Sequence, residues 1–168
     1  MRRILLISDT HSYLDPTLTK HMQEADEVWH AGDIGHMDVC TQIQSHSELK
    51  AVHGNIDDAS ARSQWPEDLC FMCEDVKVLI THIGGYPNKY PARIKTLLQQ
   101  HKPQLFICGH SHILKVMYDK NNQLLHMNPG AAGNQGFHHM KTALRFTIDK
   151  KDIKHLDIIE IGLRHATT

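Results

Sequence analysis

The sequence lacks an excess of either charge. Eighteen lysines and arginines face nineteen aspartates and glutamates, so the formal net charge of the 168 residues is −1. A general nucleic-acid binder would usually present a basic face, and the balance therefore argues against extended nucleic acid as a partner. It leaves open a small anionic ligand held by metal, including a cyclic nucleotide.

Long apolar runs are also absent. No stretch reaches the roughly 20 apolar residues of a transmembrane helix. Residues 1–3 (Met-Arg-Arg) lead directly into a predicted strand, without the apolar region of a signal peptide. We therefore expect a soluble, cytoplasmic protein. Repeats, low-complexity tracts and interdomain linkers are missing too, and the length predicts a single domain over residues 1–168.

Cysteine is scarce, and its four copies lie in or beside apolar runs, at Cys40, Cys70, Cys73 and Cys108. Cys70 and Cys73 have C-x-x-C spacing, but a zinc knuckle would need a second pair, which the sequence does not contain. We expect a structural strand there rather than a redox or zinc site. In a reducing cytoplasm, the cysteines are expected to be buried free thiols.

Short apolar strands alternate with helices in the first half of the chain. Strands predicted over 3–8, 27–30 and 49–53 are separated by helices over about 16–24 and 37–46, which is typical of a parallel α/β unit. The second half is mostly β, and its predicted elements are a hairpin over 69–74 and 76–81, a helix over 91–101 and strands over 105–108, 113–119, 124–128, 142–148 and 153–161. Two mixed sheets packed face to face, with helices outside, accommodate both halves.

Histidine is abundant, with fifteen copies, and several follow predicted strands beside aspartate, asparagine or glycine. The strand ends that share this pattern are Asp9-Thr10-His11, Gly32-Asp33, Gly54-Asn55-Ile56-Asp57, Thr81-His82 and Gly109-His110-Ser111-His112. Open α/β sheets bind ligands at the carboxyl ends of their strands. Residues two apart in an extended segment point to one side, so each pair two residues apart can reach one ion.

Together these strand ends offer two carboxylates, one amide oxygen and four imidazoles, from Asp9, His11, Asp33, Asn55, His82, His110 and His112. Mixed oxygen and nitrogen donors suit manganese, iron, zinc or nickel. Seven side chains are too many for one ion and about right for two, provided that one carboxylate bridges. Any single motif is weak, because a lone strand-end histidine is usually a surface residue. The complete, ordered set carries the metal interpretation.

The ordered series D-x-H, G-D, G-N-x-D, a strand-end histidine and G-H-x-H runs from Ile4 to about Gly130. It resembles the calcineurin-like metallophosphoesterases, and the short chain resembles their small single-domain bacterial and archaeal phosphodiesterases. The resemblance implies an α/β fold, a four-layer α-β-β-α sandwich of two mixed β-sheets, with a binuclear metal site. It implies one ion on Asp9, His11, Asp33 and His112, and another on Asp33, Asn55, His82 and His110. Manganese is the expected metal, with iron, zinc and nickel as alternatives.

The resemblance also implies a metal-dependent phosphodiesterase. Two cations about 3.5–4 Å apart can share a water and lower its pKa from about 15.7 towards 7. A bridging hydroxide would then attack a small phosphoester without a protein nucleophile. Catalytic roles are expected for Asp33, Asn55 and Asp57, and substrate contacts for His36, Asn128 and Gly130. The Asn128-Pro129-Gly130 segment resembles the family's N-P-G-S loop, with Ala131 in place of serine.

The sequence departs from the family pattern at two positions. Larger relatives carry a histidine, commonly assigned as the general acid, where this chain has Ile56, which can donate no proton. General acid catalysis contributes about 10²–10⁴-fold, so we expect slow turnover of esters with poor leaving groups. Many small relatives contain T-H-G-H where this chain has Thr81-His82-Ile83-Gly84, so its substrate pocket is expected to differ.

Several remaining residues are expected to support the structure. His30 and His53 precede their motifs and are assigned to the core or to positions behind the ligands. His138 and His139 are expected to form a solvated loop pair. Tyr86, Lys89 and Tyr90 are expected to lie in an ordinary loop.

Two other functions are retained as alternatives. The first is a non-catalytic interaction scaffold on the same fold, as in the retromer subunit that resembles this family. A scaffold would be expected to lose ligands, and no ligand position is vacant here, which favours an enzyme. The second is a phosphomonoesterase or a nuclease, although the neutral charge balance argues against extended nucleic acid as a substrate. A homo-oligomer is left open.

Overall fold

The computed structural model describes residues 1–165, which form ten strands and four helices; the two alternate up to the fourth strand, and the last five strands follow without a helix. The strands are β1 (Arg2–Ile7), β2 (Glu27–His30), β3 (Glu48–Ala51), β4 (Asp68–Cys73), β5 (Val76–Thr81), β6 (Leu105–Ile107), β7 (Leu114–Asp119), β8 (Leu124–Pro129), β9 (Met140–Asp149) and β10 (Asp152–Leu163). The helices are α1 (Leu18–Glu24), α2 (Asp38–Gln44), α3 (Ala59–Gln64) and α4 (Ala92–His101).

The strands form two mixed five-stranded sheets. The first has the order β10-β9-β1-β2-β3, with β1, β2 and β3 parallel and β9 antiparallel to β1. The second has the order β4-β5-β6-β8-β7, with β5, β6 and β8 parallel and an antiparallel strand at each edge. The predicted hairpin of β4 with β5 is confirmed, and so is the tight connection of β9 to β10.

The core lies between the two sheets, and the helices cover their outer faces. In β1, Leu6 packs into the layer between the sheets and Leu5 packs towards α1 and α2. Both faces of such a strand are buried, which explains its continuous apolar sequence. Helix α4 covers the second sheet through Ile94 and Leu98. This arrangement confirms the predicted α-β-β-α sandwich.

Two helix predictions need correction. Helix α1 begins at Leu18 rather than at Pro16, because Asp15 Oδ1 accepts a hydrogen bond from the Thr17 amide (3.0 Å) and holds the preceding residues in a turn. Helix α3 was not predicted at all. It is capped by Asp58, whose Oδ1 accepts from the Ala61 amide (3.1 Å), and Ala61 is its one buried residue. A helix with so small an apolar face leaves no periodic signal in the sequence.

The cysteines behave as predicted for structural residues. All four are free, and Cys70 and Cys73 lie on opposite faces of β4, one towards α4 and one between the sheets. Residues three apart in a strand cannot both reach one ion or form a disulfide. Within residues 1–165, no helix combines the length and apolarity needed to cross a membrane.

Candidate metal centre

The loops after the parallel strands of both sheets meet at one edge of the sandwich. The Asp9 amide donates to the Gly32 carbonyl (3.0 Å) and the His11 amide to the Asp33 carbonyl (3.1 Å), which joins the loops of the first sheet. The His110 amide donates to Asp9 Oδ2 (3.1 Å), which joins the two sheets. These contacts bring together side chains that are more than a hundred residues apart in the chain, such as Asp9 and His110.

One group of candidate ligands consists of Asp9, His11 and His112, whose donor atoms lie within 4.8 Å of one another. Asp9 Oδ1 lies 3.1 Å from His112 Nε2 and 3.9 Å from His11 Nε2. Metal–ligand bonds of about 2.0–2.2 Å separate neighbouring donors by about 3–3.5 Å. The group therefore has nearly the spacing of a coordination shell.

A second group consists of Asp33, His82 and His110, also with donor atoms within 4.8 Å. Asp33 Oδ1 lies 3.2 Å from His82 Nε2, and the His82 and His110 rings are 5.3 Å apart between centroids. The strand ends of the second sheet thus supply the imidazoles, while the first sheet supplies the carboxylate.

Asp33 faces both groups. Its Oδ2 lies 3.5 Å from His11 Nε2 in the first group, while its Oδ1 lies 3.2 Å from His82 Nε2 in the second. A carboxylate in this position can bind two ions at once, one through each oxygen. The sequence assigned the bridging position to the same residue.

The buried donor atoms fit a bound metal because hydrogen bonding leaves them unsatisfied. Asp9 Oδ1, His11 Nε2 and His82 Nε2 are buried without a hydrogen-bond partner. Such atoms are costly unless a ligand or ion compensates them. Imidazole nitrogen together with carboxylate oxygen suits first-row divalent metals. The residues present therefore fit one or two divalent cations.

The charge of the cluster also fits a cation. Burial opposes ionisation of Asp9, but His112, His82 and Ser8 hold its pKa below the usual value. Burial likewise opposes ionisation of Asp33, and contact with His82 lowers its pKa overall. Both carboxyl groups are therefore ionised at neutral pH, as metal ligands must be.

Hydrogen bonds behind the ligands set their orientation. His82 Nδ1 lies 2.7 Å from the Ala31 carbonyl, so it carries the proton and leaves Nε2 free to face Asp33. Asp9 Oδ2 accepts from Ser8 Oγ (2.6 Å) and from the His110 amide (3.1 Å), which leaves Oδ1 for a metal. In both ligands, the polar atom that points away from the site is thus held by hydrogen bonds to the surrounding protein.

His30 is buried behind the site, in the supporting position that the sequence predicted. The Gly32 amide donates to its Nδ1 (3.1 Å), so Nε2 carries the proton and donates to Thr10 Oγ1 (2.9 Å). Burial lowers the pKa of His30 to about 4, which keeps the ring neutral and preserves this pattern. The ring thus connects the loop after β1 to the loop after β2. His53, half-buried, contacts the Trp65 carbonyl through Nδ1 (2.8 Å).

The backbone is strained at the candidate ligands. Five of the seven adopt positive φ, namely Asp9 (53°), His11 (46°), Asp33 (54°), His110 (68°) and His112 (59°). Positive φ is uncommon for residues other than glycine, and such strain tends to cluster at functional sites. The surrounding hydrogen bonds maintain this conformation, which turns the side chains towards one another.

Asp57 supports the site rather than facing it. Its Oδ2 accepts from the amides of Ile34 (3.2 Å) and Gly54 (2.7 Å), and its Oδ1 accepts from the Gly35 amide (2.8 Å). Both oxygens are therefore occupied by the loops that carry Asp33 and Asn55. The structure favours a positioning role for Asp57 over the predicted catalytic one.

Gly54 allows these two loops to approach closely. A Cβ atom at this position would lie 2.1 Å from Asp33 Oδ1 and 2.3 Å from the Asp33 amide nitrogen. Only glycine leaves room for the carboxylate. The glycine of the G-N motif is therefore required for steric reasons.

Asn55 and His36 lie at the exposed side of the site. Asn55 precedes Ile56, whose amide donates to Asp33 Oδ1 (3.1 Å), so its loop is tied to the bridging carboxylate. The exposed His36 lies 3.2 Å from Asp38 Oδ2 through Nδ1. Metal binding by Asn55 and substrate binding by His36 stay predictions.

Asn128 and Gly130 lie behind the loop that carries His110 and His112. Asn128 Nδ2 donates to the Gly109 carbonyl (2.9 Å) and Ser111 Oγ (3.1 Å), and its Oδ1 accepts from the Gly130 amide (3.0 Å). Asn128 is 1 % exposed. These contacts favour support of the histidine loop over the predicted substrate contact.

His138 is a site neighbour that sequence reasoning missed. The prediction of a solvated pair is wrong for His138, whose ring lies 5.2 Å from that of His112 between centroids, although His139 is exposed. Its Nε2 donates to the Gly133 carbonyl (2.8 Å), while its Nδ1 is buried without a partner. No local pattern marks this residue, because only the tertiary fold brings the loop after β8 against His112.

Tyr90 corrects the expectation of an ordinary loop. It is buried at 6 % exposure, packs beside Phe106 and contacts His126 through its hydroxyl (3.3 Å). Tyr86 is partly buried, with the Lys115 ammonium 5.3 Å from its ring centre.

Comparisons with known proteins agree with the fold. A curated relative, described as a probable metallophosphoesterase of Methanothermobacter thermautotrophicus, is 24 % identical over 131 residues, which span 75 % of this chain and 74 % of the relative. A crystal structure described as a predicted phosphoesterase of Streptococcus pneumoniae has a TM-score of 0.70 at 20 % identity, covering 95 % of this chain and 90 % of that one.

Vps29 from Entamoeba histolytica, solved in complex with zinc, has a TM-score of 0.73 at 14 % identity and covers 95 % of this chain and 99 % of its own. At such identities, structural likeness shows the fold. Residues 1–151 match the calcineurin-like phosphoesterase superfamily domain. The chain therefore belongs to the calcineurin-like phosphoesterase superfamily, a family of metal-dependent phosphoesterases.

Proposed function

We propose that the protein is a phosphodiesterase that hydrolyses a small phosphoester at a site for two divalent ions, with manganese as the expected metal. The observation that carries the proposal is the position of Asp33, whose two oxygens face His11 and His82 at 3.5 and 3.2 Å. Ions bound there would activate water and neutralise charge on the phosphoryl oxygens. The proposed ligands are Asp9, His11, Asp33, Asn55, His82, His110 and His112.

The contribution of the chain itself is to hold these donors before substrate arrives. Asp57 and the Ala31 carbonyl fix the loop of Asp33 and the ring of His82. Pre-organised donors need little rearrangement during the reaction, which is how such sites stabilise a transition state. No protein nucleophile is needed, since water activated by bound ions would attack phosphorus.

A scaffold on the same fold is the competing function. Likeness to Vps29 supports it only through the fold, because the identity of the zinc complex is 14 %. In this chain the donor atoms within each of the two clusters lie within 4.8 Å of one another. A protein that served only as a scaffold would not need to retain buried metal-ligand atoms that lack hydrogen-bond partners, because burying them is costly. We therefore favour the enzyme.

Metal content and turnover together test the proposal. We expect the purified protein, loaded with Mn²⁺, to bind two ions per chain by elemental analysis and to hydrolyse bis(p-nitrophenyl) phosphate. Chelation should abolish turnover and added Mn²⁺ should restore it. Metal uptake without turnover of any ester would favour the scaffold, and turnover of p-nitrophenyl phosphate alone would favour a monoesterase.

The side chain of Ile56 predicts a strong dependence on the leaving group. Ile56 is 46 % exposed, and its amide contacts Asp33, so a side chain there stands beside the reaction site. We expect Ile56→His to raise kcat for phenyl and alkyl esters by about 10²-fold, the lower end of what a general acid contributes. The rate for p-nitrophenyl esters should change little.

The matched control is Ile56→Gln, which is polar but supplies no acid. Initial rates on a series of esters with leaving groups of rising pKa would measure the effect. Equal rates of the wild-type protein on aryl and alkyl esters, with chemistry rate-limiting, would contradict the prediction.

A further inference from the structure

A cavity of about 330 Å³ adjoins the candidate metal centre. Two proposed ligands, Asn55 and His82, form one part of its wall, and Ile83, Pro91 and Ile94 form another. The cavity therefore begins at the place where a phosphoryl group would bind and extends towards the first turn of α4. The organic substituent of a bound ester would have to extend from the metal centre into free space. This cavity provides such space.

Part of the wall beyond the ligands is apolar, although Arg62, Glu67 and Arg93 also line the cavity. Ile94 is 1 % exposed and belongs to the core around α4, while Ile83 is 46 % exposed although it follows a buried histidine. A solvent-exposed apolar side chain beside a polar centre is typical of a ligand-binding site. Water gains no hydrogen bonds from this part of the wall, so an apolar group can displace it at little cost.

The rim carries positive charge. Arg62 donates to the carbonyls of Gly54 (3.2 Å), Asn55 (3.3 Å) and Asp57 (2.7 Å), and it has no carboxylate partner within residues 1–165. Arg93, in contrast, pairs with Asp68 and with Glu67. Glu67 also lines the cavity but pairs with Arg93, so the planar guanidinium of Arg62 is available to an anion or to the face of an aromatic ring.

We propose that this cavity binds the organic substituent of the phosphoester and selects an aromatic ring over a small alkyl group. The inference rests on the proposed function for the position of the phosphoryl group. The volume lies at the lower end of ligand pockets, which span about 300–1,000 Å³, so it suits one ring system and excludes a polymer. The apolar wall and the guanidinium at the rim together favour a flat ring next to an anion.

Ile83 and Ile113 offer a matched pair for the test. Each directly follows a proposed histidine ligand, and they are 46 % and 58 % exposed. Ile83 lines the cavity, whereas Ile113 lies outside it. We therefore compare Ile83→Trp, which fills the cavity, with Ile113→Trp, which adds the same bulk beside the other ligand loop. Circular dichroism and manganese content verify that each variant is folded and loaded.

The readout is equilibrium binding of diphenyl phosphate and dimethyl phosphate to the manganese-loaded protein by calorimetry. We expect the wild type to bind diphenyl phosphate at least about tenfold more tightly, since burial of one ring is worth that factor or more. Ile83→Trp should remove this preference, and Ile113→Trp should keep it. If Ile83→Trp does not fold, Ile83→Ser should weaken diphenyl phosphate binding several-fold and leave dimethyl phosphate binding unchanged.

The inference is overturned if the wild type binds both phosphates equally or binds neither, or if the two tryptophan variants behave alike. Binding affinity and hydrolysis are measured separately, so a failure of this inference can be distinguished from a failure of the proposed function. Selective binding of diphenyl phosphate without hydrolysis of any ester would retain the cavity and reject the enzyme. Hydrolysis with no aromatic preference would retain the enzyme and reject the cavity assignment.

Discussion

Replacing Asp33 with asparagine is expected to lower kcat on bis(p-nitrophenyl) phosphate by about 10³-fold, since stabilisation by a bound metal is worth several kcal/mol. The two carboxylate oxygens face His11 and His82, so this change removes one charged donor from both groups of candidate ligands. We expect elemental analysis to find fewer than two manganese ions per chain.

The same variant should leave the metal-free fold intact. Asparagine tolerates the positive φ of 54° at this position and keeps an oxygen that accepts from the Ile56 amide. The variant loses the contacts of the carboxylate with His11 and His82, but it no longer pays the desolvation cost of a buried charge, and the two effects on stability offset each other. The melting temperature without metal is therefore expected to stay within a few degrees of the wild type, by the usual scale of about 4–8 °C per kcal/mol in small domains.

Metal-dependent stabilisation separates a ligand from a structural residue. Added Mn²⁺ should raise the melting temperature of the wild type by mass action and raise that of Asp33→Asn much less. Asp38→Asn is the control, because Asp38 lies nearby but is exposed and, among the ionisable groups of residues 1–165, pairs with His36 alone. Full activity and a full metal complement in Asp33→Asn would reject the bridging role.

Lys141→Met is expected to destabilise the protein by about 3–5 kcal/mol, the usual cost of breaking one side of a buried ion pair. Lys141 is 1 % exposed, and its Nζ donates to Asp15 Oδ2 at 2.6 Å. The pair ties the loop after Asp9 and His11 to β9, and Nζ also lies 5.1 Å from the centre of the Tyr13 ring. The variant leaves a carboxylate there without its cation.

The pH dependence of this effect has a definite sign. Burial opposes ionisation of Asp15, but Lys141 and Thr17 lower its pKa below the usual value. The pair therefore stabilises the wild type above the unfolded pKa of about 3.9 and is lost as pH falls through the lower folded value. In Lys141→Met the cation is lost while burial still opposes ionisation of Asp15, so its pKa rises relative to the wild type and we expect the deficit to shrink on acidification from pH 7 to 5.

Urea unfolding at the two pH values measures both predictions. Lys154→Met is the control, because Lys154 pairs with Asp149 at the surface and its side chain is 44 % exposed. Such an exposed pair contributes little to the free energy of unfolding. The double variant Asp15→Asn with Lys141→Met should recover part of the loss, since no charge then remains unpaired. A cost below 1 kcal/mol for Lys141→Met would show that the buried pair is not needed.

Residues that belong to a local sequence pattern, such as the end of an apolar strand, could be identified from the sequence. The strand ends that carry Asp9, Asp33, Asn55, His82 and the His110–His112 segment follow apolar runs, and every one of these strands forms. Glycine next to the ligands was likewise visible, and Gly54 is needed because a Cβ would strike Asp33. The two mixed sheets could be predicted because strands and helices alternate in the first half of the sequence, whereas the second half consists mostly of strands.

Contacts between distant segments required the tertiary structure. Asp33 from the first sheet meets His82 from the second only because loops of both sheets converge at one edge. The position of His138 against His112 and the burial of Asp57 under three backbone amides have no local signature. Helix α3 escaped detection because Ala61 alone is buried.

The amino-acid sequence by itself therefore determined which side chains are available for metal chemistry and on which strand ends they lie, because strand periodicity and turn glycines are local properties. The tertiary structure alone decided which donors face each other, which carboxylates are occupied by backbone amides and where a cavity opens beside the site. Those features depend on packing between sheets, and packing depends on residues far apart in the chain.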